Sequence, residues 1–208
     1  MPTLNTLIIE FDKSLRTLFA EPRSIRAHPD SNIIEANLSE SEKKHASALM
    51  RVNHTGEICA QALYSGQSLT ACNKETASAL NHASLEETEH LAWCETRLAE
   101  LGGRTSVLNP LFYAGSFSMG VIAGMFGDKW SLGFVAETEK QVEAHLTSHL
   151  LHLPESDLKT RKIVEQMQQD EARHADSAKQ LGAAELPALA KFLMKKVSKI
   201  MTSTAYYL

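Results

Sequence analysis

The sequence predicts an all-α protein built on a four-helix bundle, and three observations carry that reading. Apolar residues recur at helical spacing over four long segments. Helix-start and helix-stop signals bracket those segments, and no stretch alternates with period two over a useful length. A chain of 208 residues suits one domain, or one with appendages, and can bury a sizeable core.

The elements follow in order. Leu4, Leu7, Ile8, Phe11, Leu15, Leu18 and Phe19 share one side of a first helix that stops before Pro22. Residues 21–38 read as a polar connector, so 1–38 forms an N-terminal helix and connector and 39–208 the main domain. Ser39 and Glu42 make a capping box that opens a helix running to about Cys72. A second long helix spans Lys74 to Leu101 and ends at Gly102-Gly103, a helix-stop signal. A third covers Lys129 to Leu153 and is closed by Pro154; a fourth follows Ser156 and ends near Gly182. An amphipathic segment fills 185–202. The links within the first and second pairs are short, and the link between the pairs is long. Two antiparallel hairpins joined by one long crossover make a ferritin-like four-helix bundle with extra amphipathic helices.

Composition narrows the function classes. A net charge of −4 gives no sign of a nucleic-acid binder. Cys59, Cys72 and Cys94 form no CxxC pair, which points to a reducing compartment and to cysteines serving as small buried hydrophobes. Glu10, Asp12 and Lys13 interrupt the N-terminal apolar residues where a secretory signal needs none, so the start reads as untargeted and of bacterial cytosolic origin.

Three ExxH triplets occur: Glu42–His45, Glu87–His90 and Glu171–His174. On the fourth long helix Ile163, Val164, Met167, Ala178 and Leu181 define the core stripe, and Glu171 and His174 fall on it. On the second, the stripe of Leu80, Ala83, Cys94, Leu98 and Leu101 passes through Glu87 and His90. Bare carboxylates on such faces cost several kcal/mol, on the order of what a partner or a metal must return. Glu42 is already used by the capping box and lies about 22 Å along its helix from Glu57, which sets that triplet aside. The stripe of Leu132, Val135, Val142, Leu146 and Leu153 selects Glu139; Glu137 is about 200° away, and Glu143 is its rival one turn on. Ala46, Leu49, Asn53, Ala60 and Tyr64 select Glu57 on the first long helix.

The order is Glu, ExxH, Glu, ExxH, which is the dimetal carboxylate pattern: Glu57, Glu87, His90, Glu139, Glu171 and His174. Four carboxylates carry a charge that two divalent ions cancel. The alternative of buried ion pairs lacks enough Arg or Lys on the stripes. One His per metal with bridging carboxylates suits iron or manganese rather than zinc. His54, His145 and His149 are candidates to orient the ligands, His145 first among them, with ordinary core or solvated roles equally open.

From Thr105 to Gly127 no residue is charged. Asn109, Pro110 and the frequent glycines argue against a spanning helix in this stretch. It reads either as a crossover packed closely through Gly120 and Gly124 or as an apolar hatch at a membrane interface. Leu189, Phe192, Leu193, Val197 and Ile200 stand opposite Lys191, Lys195 and Lys199, as in a helix lying on an anionic membrane or in a core helix with a solvated face.

The segments RVNHTGEICAQALYSGQ (51–67), EETEHLAW (86–93), FVAETEKQVEAHL (134–146) and QQDEARHAD (168–176) resemble the demethoxyubiquinone hydroxylase family of ubiquinone biosynthesis. The likeness spans at least residues 39–208. It implies a peripheral membrane di-iron monooxygenase at the cytoplasmic side of the cell inner membrane. It also implies two iron ions on the same six residues, with Glu87 and Glu171 bridging. The implied reaction is O₂-dependent hydroxylation of a 2-polyprenyl-3-methyl-6-methoxy-1,4-benzoquinol, with reducing equivalents ultimately from NADH and other ubiquinone-biosynthesis proteins as partners. No GxGxxG fingerprint is present for a dinucleotide. Tyr206-Tyr207-Leu208 resembles a family tail with a Tyr near the substrate entrance. The competing readings are ferritin-like iron storage, which predicts no apolar glycine-rich crossover, and a rubrerythrin-type peroxidase or manganese catalase. Rubrerythrins usually add a CxxC iron site, which is missing here.

Overall fold

The computed structural model describes residues 3–208, and within them the protein is entirely helical: α1 (Leu4–Phe19), α2 (Glu40–Thr70), α3 (Lys74–Glu100), α4 (Asn109–Met125), α5 (Asp128–His152), α6 (Leu158–Gln180) and α7 (Ala188–Tyr207). The bundle consists of the hairpins α2–α3 and α5–α6. Its helix starts follow local chemistry. Ser39 accepts from the Glu42 N–H while the Glu42 carboxylate reaches back to Ser39, the capping box expected there. Asn73 caps α3 and Asp157 caps α6, each side chain accepting a first-turn N–H.

The crossover is itself a helix, α4, laid along α2. Pro110 sits in its first turn, where no N–H is needed. Added Cβ atoms at Gly120 and Gly66 would run into the carbonyl oxygens of Leu63 and Phe117, and one at Gly124 would meet the Thr70 hydroxyl. Both glycines named for close packing therefore serve it, and that packing offsets their poor helix propensity. The opposite face of α4 leaves Leu111, Ile122, Met125 and Phe126 exposed. No helix among the described residues is long and apolar enough to cross a membrane.

Two apolar clusters fill the bundle. One gathers Met50, Trp93, Cys94, Leu146, Ile163, Val164 and Met167; the other gathers Ala60, Tyr64, Leu80, Leu132, Val135 and Ala178. On every bundle helix the predicted polar residues stand between these clusters, so the site is a polar layer sandwiched in an apolar core. The connector is tied down by Arg97, which is fully buried. Its guanidinium donates to Glu35 at 2.6 and 2.9 Å, to Asp157 at 2.9 Å and to Glu100 at 2.7 Å.

One expectation needs correcting. Only Cys94 is a buried cysteine; Cys59 is half-buried, and Cys72 is exposed because α2 ends before it, in the turn to α3. The apolar face of α1 stays largely open: Leu18 packs beside Ile58 and Leu91, whereas Leu4, Ile8, Phe11 and Phe19 are exposed.

Candidate metal centre

All six residues selected by helical phase converge. Glu57, Glu87, His90 and Glu171 each bring a donor atom into a set whose members lie within 4.8 Å of one another. Glu87, Glu139, Glu171 and His174 form a second such set. Glu87 and Glu171 belong to both, and their oxygens divide between the histidines. His90 Nδ1 is 3.1 Å from Glu87 Oε2 and 3.3 Å from Glu171 Oε1. His174 Nδ1 is 3.4 Å from Glu87 Oε1 and 3.4 Å from Glu171 Oε2. Glu57 Oε2 completes the His90 side at 3.7 Å from Nδ1, and Tyr64 donates its hydroxyl proton to Glu139 Oε1.

The donor set fits a pair of hard divalent cations. Glu87 Oε1, Glu139 Oε2, both Glu171 oxygens and His174 Nδ1 are buried without a hydrogen-bond partner, and buried polar atoms are rarely left so. Without cations the cluster limits its charge by holding protons. Burial, then the Glu87 charge, raises the Glu57 carboxyl well above the ordinary range; burial and Glu171 do the same to Glu139. Burial opposes the charge on the other four groups too, but the close approach of carboxylates to imidazoles wins. Glu87 and Glu171 are lowered, His90 is raised, and His174 is pushed up to about 12. Metal binding at such a site must displace these protons.

Each histidine turns its other nitrogen to a carboxylate of the opposite hairpin. His90 Nε2 donates to Asp170 Oδ2 at 3.0 Å, and His174 Nε2 donates to Glu86 Oε2 at 2.7 Å. Such partners fix the ring and its tautomer. Helical phase misses both, yet each is the residue just before the Glu of an ExxH triplet, a signal the sequence does carry.

The residues proposed for that orienting role do not fill it. His54 binds Glu95 at 3.2 Å and Asn109 at 3.4 Å. His145 and His149 meet edge to face with ring centroids 3.9 Å apart, beside a cavity lined by Val52, Tyr206 and Tyr207. His145 Nε2 and His149 Nδ1 are buried without a hydrogen-bond partner, so neither nitrogen orients a ligand ring. Glu143 is outside both donor sets, and Glu137 faces Lys191 of α7 at 3.7 Å. His45 is taken up by the Tyr206 hydroxyl at 2.8 Å and the His152 carbonyl at 3.2 Å, so the Glu42–His45 triplet is structural.

An apolar cavity of about 260 Å³ adjoins the centre between α2, α4, α5 and α7. Its wall includes Gly56 and Ala60, which flank Glu57, and Thr138 and Val142, which flank Glu139. Leu63, Phe112, Met119, Phe134, Met194 and Val197 are among the other residues that line it.

Residues 44–205 match the family described as ubiquinone biosynthesis protein COQ7. Relatives named 3-demethoxyubiquinol 3-hydroxylase align over nearly the whole chain. That of Laribacter hongkongensis is 59% identical over 205 residues, covering 99% of this chain and 100% of the relative. That of Chromobacterium violaceum is 60% identical over 203 residues, covering 98% of each, and that of Nitrosomonas europaea is 56% identical over 207 residues, covering 100% of each. The chain belongs to the COQ7 family of ubiquinone biosynthesis proteins.

Proposed function

We propose that this protein is a di-iron monooxygenase that hydroxylates the ring of a demethoxyubiquinol, a 2-polyprenyl-3-methyl-6-methoxy-1,4-benzoquinol, in ubiquinone biosynthesis. One observation carries the reading: two four-donor sets share two carboxylates and open beside an apolar cavity. Glu57 and His90 would hold one ion, Glu139 and His174 the other, and Glu87 and Glu171 would bridge. Two bound irons supply the activation of O₂. One oxygen atom enters the ring C–H bond, and the other leaves as water with two electrons and two protons, drawn ultimately from NADH.

The chain's own residues do the rest. Asp170 and Glu86 keep the two imidazoles turned inward, and Tyr64 holds Glu139 by its Oε1. The cavity accepts an apolar ring and the start of a prenyl tail while excluding water. Leu111 and Ile200 line it and are each 67% exposed, so its rim is greasy. With Ile122, Met125 and Phe126 on α4 and Leu189 and Phe192 on α7, that rim supports docking on the cytoplasmic face of the inner membrane, where the substrate resides.

The test is genetic. A bacterium lacking its own hydroxylase should accumulate the demethoxy quinone and regain ubiquinone when this chain is expressed. Restoration by the Glu171→Ala variant, or failure of the wild type to restore, would sink the reading. Flotation with anionic vesicles checks the membrane step separately.

A further inference from the structure

The N-terminal connector lies outside the residues that match the family, yet it is bonded into the wall carrying both ExxH triplets. Residues 24–35 cross the seam between α3 and α6. Ser24 and the backbone N–H groups of Ile25 and Arg26 donate to Glu89 of α3, and Trp93 Nε1 donates to Ser24 Oγ at 3.2 Å. Farther on, Asp30 faces Lys159 of α6 at 3.5 Å and Glu35 receives Arg97 of α3.

Arg26 sits at the centre of this strap. Its guanidinium lies over the Trp93 ring, 4.9 Å from the centroid, which restricts its rotation. Nη1 donates to Asp170 Oδ2 at 2.9 Å. This is the same oxygen that accepts from His90 Nε2. The Asp170 side chain is fully buried, and its other oxygen is taken by Gln166 at 2.8 Å and Arg173 at 2.5 Å. The equivalent carboxylate for His174 is held differently. Glu86 is 24% exposed, with His82 at 3.5 Å and Arg173 only at 4.0 Å. Half of the centre is therefore fixed by a strapped, dry carboxylate and the other half by a partly wet one.

We propose that Arg26 is a positioning residue for the metal centre: by pinning Asp170 Oδ2 it fixes the ring of His90 and makes the ion on that side unlike the ion beside His174. The inference rests on the di-iron reading. It assigns to the connector a role in the reactivity of the centre, beyond holding the fold together. The guanidinium keeps the carboxylate ionised and its oxygen fixed in place, at some cost to its basicity, and that fixed oxygen holds the imidazole in the tautomer and orientation that turn Nδ1 to the metal.

The experiment uses the full chain loaded with ⁵⁷Fe(II), as wild type and as Arg26→Gln, Arg26→Lys and Glu35→Gln. Iron per chain, Fe(II) affinity, the Mössbauer spectrum and the hydroxylation kcat and KM are measured. Arg26→Gln should shift one of the two iron signals, weaken Fe(II) binding about tenfold and lower kcat with KM unchanged. Arg26→Lys should recover part of each change. Glu35→Gln, which loosens the strap away from His90, should leave the iron spectrum as in the wild type. An Arg26→Gln spectrum and kcat equal to the wild type would overturn the proposal. So would equal losses in Arg26→Gln and Glu35→Gln, or an Arg26→Gln chain that no longer folds, since either makes Arg26 a plain anchor. A wild type that binds fewer than two irons would instead defeat the di-iron reading itself.

Discussion

On the α3–α6 wall of the centre, His90 and His174 each donate to a carboxylate of the other helix, and Arg26, Arg173 and Gln166 crowd around Asp170. On the α2–α5 wall, Tyr64 is the one donor outside the cluster that reaches Glu57 or Glu139 among the described residues, and an apolar cavity begins at the next turn. The first wall is set by charge-assisted hydrogen bonds, which tolerate little displacement. The second is set by apolar packing, which leaves room for a greasy guest. A reaction between a metal-activated oxidant and a hydrophobic ring needs both: ligands that do not shift on one side, and space without water on the other.

The comparison breaks most completely at the bridging carboxylates, which serve both sides. Glu171→Ala should reduce bound iron from two per chain to one or none, with hydroxylation falling below detection; elemental analysis and product assay check it. A variant retaining two irons would show the ligand set to be wrong. Next in size is the charged wall alone. Asp170→Asn should weaken iron binding about 10–100-fold, the usual cost of losing a ligand-orienting carboxylate. Glu86→Gln should cost less, because Glu86 is partly exposed and water can replace it. Competitive Fe(II) or Co(II) titration ranks the two. Equal losses would mean that burial of the partner does not set its influence.

Much of the α2–α5 wall was legible in the sequence, and less of the α3–α6 wall. A bundle helix buries one face at a period of 3.6, so the stripes that hold Leu49, Cys94, Leu146 and Met167 inward also point Glu57, Glu87, Glu139 and Glu171 inward. The capping box likewise explains why Glu42–His45 stays outside. Asp170 and Glu86 lie one residue off their stripes, facing the neighbouring helix. Their role depends on how α3 and α6 are set against each other, and periodicity along one helix contains no such information. Arg26 is harder still, since it comes from an aperiodic connector and gains meaning only once Trp93 and Asp170 surround it. The glycines of α4 argue against a membrane-spanning helix, and no helix among the described residues is long and apolar enough to cross a membrane. Less legible was the shorter helix itself, where the close approach of α4 at Gly120 and Gly124 to α2 at Gly66 offsets the low helix propensity of glycine.

The apolar wall is broken by filling it. Gly56 is the residue before Glu57, lines the cavity, and has open space where a Cβ would be. Gly56→Leu should lower kcat/KM for the quinol about tenfold or more while iron content stays at the wild-type value. Replacing a helical glycine should also stabilise the fold by about 0.5–1 kcal/mol. Steady-state kinetics with a thermal melt test both arms. A change in iron content would show that the cavity and the ligands are not separable.

The last expected effect, on stability and not on the reaction, tests how dry the α5 side is. His149 is 5% exposed, rests against His145, and has no partner for Nδ1. Burial, then the neighbouring His145, His152 and His45, depresses it to about 3. The folded ring is therefore neutral, while in the unfolded chain it takes up a proton near its ordinary value of about 6.5. Between these values the unfolded state binds more protons, so the stabilising contribution is whole above about pH 6.5 and is lost as pH falls toward 3. The slope from this one ring is at most about 1.4 kcal/mol per pH unit. Urea unfolding of the metal-free protein from pH 7 to 4 should show it, and stability should fall less steeply with pH in His149→Gln than in the wild type. Parallel slopes would mean that water reaches the ring through the Tyr206–Tyr207 cavity. The contrast between a charged wall and a dry one would then hold only near Glu57 and Glu139, and would fail along the rest of α5.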